Sequence, residues 1–405
     1  MMGFNNEWLF TTALQLQEPW HIEKIDFTEE QELHMYIGFK KGYKFKIKED
    51  EEGSTAYDTV KKTWRHLNFF QYKAYIHCDV PRIKRDNEIN MVDVPWARPN
   101  IGFTLLFESF VMELAKVMTV NAIARIVGEH DTRLWRILRY YTAEARDRAD
   151  YSDVEKIGID ETSVSGHNYI TVAVDLGKSR VIGITEGKDH TTVDRIAKDM
   201  EKHGCNLENI KVAASDMSPA FTTGIKDNFK NAINVYDKFH VIKLINEALD
   251  KVRRREIQHN EILKNAKYIF LKNRDNLKPK QAIKLDELLE NEHLQTSIAY
   301  KFKLQFQDIY SLVTTKEEAE ARIKSWINNA TKTEIPELKK LAKSIGLKLV
   351  NILNYFEHRV TNATLEGINS IIQMAKTRSR GFRNMENFKT IIYLIGGKLD
   401  IYVSV

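Results

Sequence analysis

Three carboxylates, each in a short motif of its own, are the residues of this chain best suited to chemistry. Asp160 stands in Ile157-Gly158-Ile159-Asp160-Glu161-Thr162, and Asp216 in Ala214-Ser215-Asp216-Met217-Ser218-Pro219-Ala220. Glu366 stands in Thr361-Asn362-Ala363-Thr364-Leu365-Glu366-Gly367. The first two follow apolar runs of strand character, and the third falls on a polar helical face. Phosphodiester chemistry needs a nucleophile activated and a leaving oxygen stabilised, and two Mg²⁺ ions about 3.5–4 Å apart do both. Mg²⁺ takes oxygen ligands and keeps several waters, so a few carboxylates and a substrate phosphate suffice. Acids at the ends of neighbouring strands converge because strands lie about 4.8 Å apart, and an acid from a packed helix can close the cluster. Blander readings stand beside this one. A strand-end aspartate also serves as a helix cap or turn former, and Glu366 also reads as an ordinary glutamate on a solvated face.

The elements that must position these acids are α/β in character. Ile157–Ile159 reads as a short strand ending at Asp160, followed by strands at Tyr169–Val174 and Arg180–Ile184. A helix is expected from Val193 to His203, a strand over Ile210–Ala214 ending at Asp216, a helix from Ala220 to Phe229, and a strand over Ile233–Tyr236 ending at Asp237. Three strands, a helix, a strand, a helix and a strand is the element order of the ribonuclease-H-like fold. Residues 241–355 are rich in Lys, Glu, Leu and Ile, with Pro279 and Pro336 as breaks, and read as a helical insertion before the Glu366 helix. On that helix Asn362, Glu366, Asn369/Ser370, Gln373 and Lys376/Thr377 form a polar stripe, while Leu365, Ile368, Ile372 and Ala375 form the packing side. A basic run follows, Lys376, Arg378, Arg380 and Arg383, suited to a phosphate backbone. Glu161 points away from Asp160 if its strand continues, and is not counted as a ligand.

The N-terminal part differs. Residues 20–48 and 63–95 alternate apolar and polar, as strands and hairpins do, around a charged turn at Lys48–Gly53. Helical spacing then covers Phe103–Val117 and Val120–Val127, and a third helix is expected to about Tyr141, with Asp131 or Thr132 as N-cap. Helix, glycine turn, helix is a helix-turn-helix pattern. On the last helix Leu134, Ile137, Leu138 and Tyr141 share one face, while Arg133, Arg136 and Tyr140 share the opposite one with Arg139 at its edge. These arginines suit a major groove and its phosphates, or equally a solvated face of a helical hairpin.

Bulk composition constrains little. The 405 residues allow two to four domains. A net charge of +5 permits a nucleic-acid partner without demanding one. Two distant cysteines, Cys78 and Cys205, exclude a disulfide framework and a Cys-only zinc site within one chain, and fit a reducing cytosol. No apolar run nears the ~18–20 residues that span a bilayer, and Met1–Gln17 does not read as a signal peptide. A soluble intracellular protein is expected.

From about Trp64 onward the chain resembles the DDE transposases of the ISL-three type, from bacterial insertion sequences. The resemblance rests on Trp64-Arg65-His66-Leu67-Asn68-Phe69-Phe70-Gln71-Tyr72, Val94-Pro95-Trp96-Ala97-Arg98, Ile123-Ala124-Arg125-Ile126-Val127-Gly128 and the Asp160 and Asp216 motifs. It also rests on Tyr236-Asp237-Lys238-Phe239-His240-Val241, the Glu366 motif and Arg380-Gly381-Phe382-Arg383-Asn384. It implies that Asp160, Asp216 and Glu366 bind two Mg²⁺ or Mn²⁺ ions, and that the helix-turn-helix helps to recognise double-stranded DNA at terminal inverted repeats. It further implies a homodimer or higher oligomer on DNA, no membrane, and a bacterial cytoplasmic, nucleoid-associated location. Asp237 and His240 form an Asp-x-x-His pair like one in several transposases with inserted domains. They are accessory candidates, although a packed histidine holding a strand end fits equally. Members of the family usually carry a Cys-rich zinc module at the N-terminus. Here the corresponding stretches, near Lys46–Asp50 and Arg85–Ile89, hold no cysteine, and Cys78 with His77 and His66 makes no convincing ligand set, so zinc is not expected.

The expected architecture is therefore multidomain, α/β plus α. A β-rich module of degenerate zinc-binding type spans 1–97 and the helix-turn-helix region 98–150. The ribonuclease-H-like catalytic core spans 151–240 and 356–405, with the helical insertion at 241–355. A catalytically decayed DNA-binding relative and a structure-selective nuclease of the same fold are the alternative functions.

Overall fold

A computed structural model describes residues 6–46, 52–85, 88–165, 168–291, 293–359 and 363–403. The chain divides into two units. One comprises Met1–Ala149, Arg378–Ile395 and Leu399–Val405, and the other Asp150–Thr377 and Gly396–Lys398. The segment 378–395, assigned from sequence to the end of the catalytic core, thus groups with the first unit.

The first unit opens with α1 (Asn6–Ala13), for which no element was expected. Period-two alternation then makes β1 (Trp20–Phe27), β2 (Leu33–Phe39), β3 (Asp58–Phe69), β4 (Tyr72–Arg85) and β5 (Glu88–Met91), in the order β1-β2-β4-β3 with β5 also on β4. Ile22, Met35, Ile37, Trp64, Ile76 and Cys78 are buried on one face, and Trp96 closes that core edge-on against Trp20 and Trp64. Residues 48–51 of the expected charged turn, with 47, lie outside the described residues.

Three helices follow, α2 (Leu105–Ala115), α3 (Val120–Val127) and α4 (Asp131–Asp147). Thr104 and Thr119 cap the first two through their hydroxyl oxygens. Gly128 ends α3 at φ +69°, the left-handed conformation that glycine adopts without strain. The expectation for α4 needs two corrections. Its N-cap is His130, because Asp131 is already helical and its Oδ1 accepts from the Thr132 amide. It also runs past Tyr141 to Asp147, because Thr142 and Ala145 extend the buried stripe of Leu134, Ile137, Leu138 and Tyr141.

Two buried charges hold these helices, one to the sheet and one to each other. Arg65 of β3 donates to the carbonyls of Ala74 and Val127 and lies 3.6 Å from Glu129. Glu108 of α2, fully buried, accepts a fork of bonds from Arg98 at 2.7 and 2.8 Å and one from the Tyr141 hydroxyl at 2.7 Å.

The second unit is built on β6 (Lys156–Ser165), β7 (Asn168–Asp175), β8 (Arg180–Glu186), β9 (Val212–Ser215) and β10 (Ile233–Tyr236), in the order β10-β9-β6-β7-β8. β6, β7 and β8 pair antiparallel, while β9 and β10 join parallel on the other side of β6. α5 (His190–Lys202) and α6 (Pro219–Asn228) connect them. β6 does not end at Asp160 as expected. It continues to Ser165, because the polar residues that follow Asp160 still pair with β7 and bury Thr162 and Val164.

The helical insertion comprises α7 (Lys238–Glu256), α8 (Lys267–Leu271), α9 (Pro279–Glu290), α10 (Gln295–Leu312), α11 (Lys316–Lys332), α12 (Pro336–Leu347) and α13 (Leu349–His358). It begins directly after β10 and has its own core, including Phe306, Trp326 and Leu285. Pro279 and Pro336 start helices, each at the first helical position, where the missing N–H costs nothing. α14 (Ala363–Arg378) and α15 (Met385–Gly396) complete the chain. No helix of the described residues is long and apolar enough to cross a membrane.

Candidate active site

Strand register brings the aspartates together. Ile159 of β6 pairs with Ser215 of β9, and Ser215 pairs with Tyr236 of β10. The next residue in each case is Asp160, Asp216 and Asp237, the last two directly after their strands end. Three aspartates therefore occupy equivalent positions where the parallel ladder ends, on strands about 4.8 Å apart.

Each is held differently. Asp160 accepts from the Glu161 amide through Oδ1 at 2.8 Å and from the Asn369 side-chain amide through Oδ2 at 2.5 Å. Burial pushes its carboxyl above the ordinary value. The Asn369 bond and the charge of His240 oppose this shift, and the charge of Asp216 adds to it. Asp216 accepts from the Ser218 amide at 2.8 Å, which shapes the turn into α6. Asp237 caps α7 by accepting from the Phe239 amide, and its other oxygen holds Nδ1 of His240 at 3.0 Å. Burial pulls this imidazole down. The bond and charge of Asp237, with Asp160 and Asp216, outweigh burial and keep it above its ordinary value. The accessory pair is thus both a helix cap and a neighbour of the acids.

Glu161 was set aside as a ligand, and its strand does continue. Burial raises its carboxyl, Lys188 opposes, and Asp216 and Asp160 reinforce. Sequence reasoning missed Lys188 and also Lys243, which acts on Glu161 from α7, one turn beyond His240. Nothing in their spacing announced them.

α14 lies against β6 because Gly158 leaves room. A Cβ at that position would stand 2.7 Å from Leu365 Cδ2. Leu365, Ile368, Ile372 and Ala375 are buried as the expected packing side. The opposite stripe is divided. Asn369 reaches Asp160 and Lys376 donates to the Ser163 carbonyl at 2.6 Å, while Glu366 is exposed and makes no hydrogen bond to a described residue. Asn362 lies outside the described residues. Glu366 stands one turn before Asn369, and residues so spaced neighbour each other on a helix surface.

Among the described residues no three His, Cys, Asp or Glu side chains are close enough to form a ready-made cation site. The donor chemistry nevertheless fits a hard divalent cation. Asp160 and Asp216 are paired oxygen donors that repel each other, and Asp160 is half removed from water, so a bound cation would relieve both penalties. The residues already set aside as zinc ligands are engaged elsewhere or buried. His66 bonds the Thr104 hydroxyl, His77 bonds His34 and Thr63, and Cys78 is buried, its thiol pushed up to about 12. Of the expected zinc-module stretches, residues 47–50 and 86–87 lie outside the described residues.

The arginines meant for DNA also divide. Arg133 is tied to Glu129 at 2.5 Å and stacks over Phe103, whereas Arg136 and Arg139 are exposed on α4. Arg378 donates to the Val117 carbonyl, while Arg380 and Arg383 are exposed.

The transposase family model matches residues 157–392, and the model of the helix-turn-helix domain of transposase family ISL3 matches residues 92–142. The transposase for insertion sequence element IS1001 of Bordetella parapertussis is 28% identical over 355 residues, covering 82% of this chain and 84% of its own. The transposase for insertion sequence element IS1557 of Mycobacterium tuberculosis is 26% identical over 362 residues, covering 80% of this chain and 79% of its own. With the match spanning both the acids at the strand ends and the helices of the first unit, the chain belongs to the ISL3 family of insertion-sequence DDE transposases.

Proposed function

We propose that this transposase cuts DNA strands at the terminal inverted repeats of an insertion sequence and joins the freed ends to target DNA, with Asp160, Asp216 and Glu366 as its catalytic and metal-binding residues. The observation that carries this reading is the strand register, which sets Asp160 beside Asp216, while Asn369 bonds the Glu366 helix onto Asp160. The sheet order, with two parallel strands added beside the first of three antiparallel ones, supports a ribonuclease-H-like core. Two Mg²⁺ or Mn²⁺ ions held by the three carboxylates would supply activation of the attacking oxygen and stabilisation of the leaving one. The remaining work falls to side chains. Asn369 orients Asp160. Asp237 holds the Nδ1 proton of His240, which leaves Nε2, when protonated, to donate to a phosphate oxygen. Residues 98–150 and the basic run from Lys376 to Arg383 bind duplex DNA, with Arg136 and Arg139 foremost, in a homodimer or higher oligomer on paired ends. The N-terminal module works without zinc, and the protein acts in the bacterial cytoplasm at the nucleoid.

A strand-transfer assay on duplexes carrying the inverted repeats of the encoding element tests this. Cleavage with joining is expected, and Asp216→Asn should abolish both while leaving DNA binding intact. Cleavage alone would indicate a structure-selective nuclease, and binding alone a decayed DNA-binding relative. Wild-type rates in Asp216→Asn would remove the triad assignment.

A further inference from the structure

One stretch outside the site is strongly basic. Between Lys264 and Lys284 stand seven basic residues and a single acid, Asp275, so these 21 residues carry a net +6 while the whole chain carries +5. They form the α8–α9 end of the helical insertion. Lys267, Lys272, Lys278 and Lys280 are exposed there and make no ion pair with a described residue, and the first turn of α9 holds no acid. Beside them Tyr268 is 60% exposed, with the Lys267 ammonium 5.5 Å from its ring centroid.

The backbone under this surface is fixed. Lys303, fully buried, donates to the carbonyls of Phe270, Leu271 and Lys272 at 3.0, 2.8 and 3.4 Å, and so caps the end of α8. Arg274 forks onto Asp286 of α9 at 2.6 and 2.7 Å. Two internal anchors therefore hold the connecting loop, and the four lysines are presented from an ordered frame. Like charges this dense repel unless a counter-charge is near. Duplex DNA offers one negative charge per ~1.7 Å of axis, and lysine and tyrosine side chains meet its phosphates without reading sequence.

We infer that the α8–α9 end of the insertion is a second, sequence-independent DNA-binding surface, on which Lys267, Lys272, Lys278 and Lys280 contact the phosphates of duplex DNA. The inference rests on the reading of duplex DNA as substrate. The full chain should be titrated with a mixed-sequence duplex lacking inverted repeats over a series of salt concentrations. Each lost phosphate contact removes about 0.9 from the slope of log affinity on log salt. Replacing all four lysines by Gln should therefore lower that slope by about 2–4, whereas replacing them by Arg should keep it. Arg136→Ala with Arg139→Ala should leave this contribution in place, and all variants should melt like the wild type. A Gln variant with the wild-type slope would overturn the inference. So would loss of binding to polyglutamate with DNA binding unaltered, which would assign the patch to an acidic protein. A wild-type chain that binds no duplex at low salt would instead sink the DNA reading itself.

Discussion

Asn369 was visible in the sequence only as one polar residue of a helical stripe, yet in the fold it makes the one side-chain hydrogen bond to Asp160 among the described residues. A hydrogen bond to a charged group is worth about 1.5–3 kcal/mol. If the bond acts by holding Asp160 ionised and oriented, Asn369→Ala should slow strand cleavage roughly 10- to 150-fold, at about 1.4 kcal/mol per tenfold. The pH profile separates this from a general structural defect. Burial already pushes Asp160 toward its protonated form, and the Asn369 bond is the largest influence opposing it. Removing that bond should move the acid limb of the rate profile to higher pH, so the deficit should shrink as pH rises. Asn369→Asp sets a second carboxylate against the first, where the two cannot readily both ionise, and should move the limb further. The assay is single-turnover cleavage of a labelled inverted-repeat duplex across the pH range in which the protein stays folded, with DNA affinity followed by anisotropy. Affinity should not change. A wild-type rate in Asn369→Ala, or the same loss at every pH, would refute the reasoning.

Four further outcomes can be checked. Glu108→Ala leaves Arg98 and Tyr141 without their buried partner, and should destabilise the first unit by about 3–5 kcal/mol in chemical denaturation; loss under 1 kcal/mol would show that the pair is dispensable. Burial lowers Lys303 from 10.5 to about 8, so between those values the unfolded chain binds a proton that the native one has released. Wild-type stability should rise relative to Lys303→Met by about 1.4 kcal/mol per pH unit in that window, and a flat difference would contradict the shift. Gly158→Ala drives a methyl into Leu365 and should cost about 1–3 kcal/mol while lifting α14 off Asp160 and depressing cleavage; an unaltered melting temperature would show that the helix yields freely. Asp160→Asn relieves a buried charge and should stabilise the metal-free protein, whereas Glu366→Gln, on an exposed side chain, should change it by less than about 0.5 kcal/mol; destabilisation by Asp160→Asn would contradict the burial argument.

Much of this fold was legible because periodicity reports burial. The bounds of α3 and β10 and the packing side of α14 follow directly from where apolar residues recur. What escaped has a common cause. An apolar run marks where a strand is buried, but not where its hydrogen-bonded ladder stops, so β6 seemed to end at Asp160 although Glu161 to Ser163 pair on with β7. Partners distant in sequence were equally invisible. Arg133 reads as a free cation until Glu129 and Phe103 are folded against it, and Lys376 until the Ser163 carbonyl is. The approach of Asp160 to Asp216 could be inferred from strand-end spacing, whereas the hydrogen bond that secures Asp160 could not.

The exposure of Glu366 follows from the charges already present. Two unit charges of like sign 4 Å apart repel by about 4 kcal/mol at an effective dielectric of 20. Asp160 bears both burial and the field of Asp216, and the Asn369 bond with the charge of His240 offsets that only in part, while Lys188 and Lys243 act on the neighbouring Glu161. Asp237 already stands buried at the next strand end, bonded to His240, so a further buried carboxylate would add a comparable penalty to a domain whose whole stability is about 5–15 kcal/mol. The chain meets this constraint through the spacing of α14. The residue that touches Asp160 is the neutral Asn369, and the acid stands one turn away in water. The same helix thus ties the second unit together through a donor that adds no charge, and Glu366, one turn from that donor, stays in water without the cost of burial.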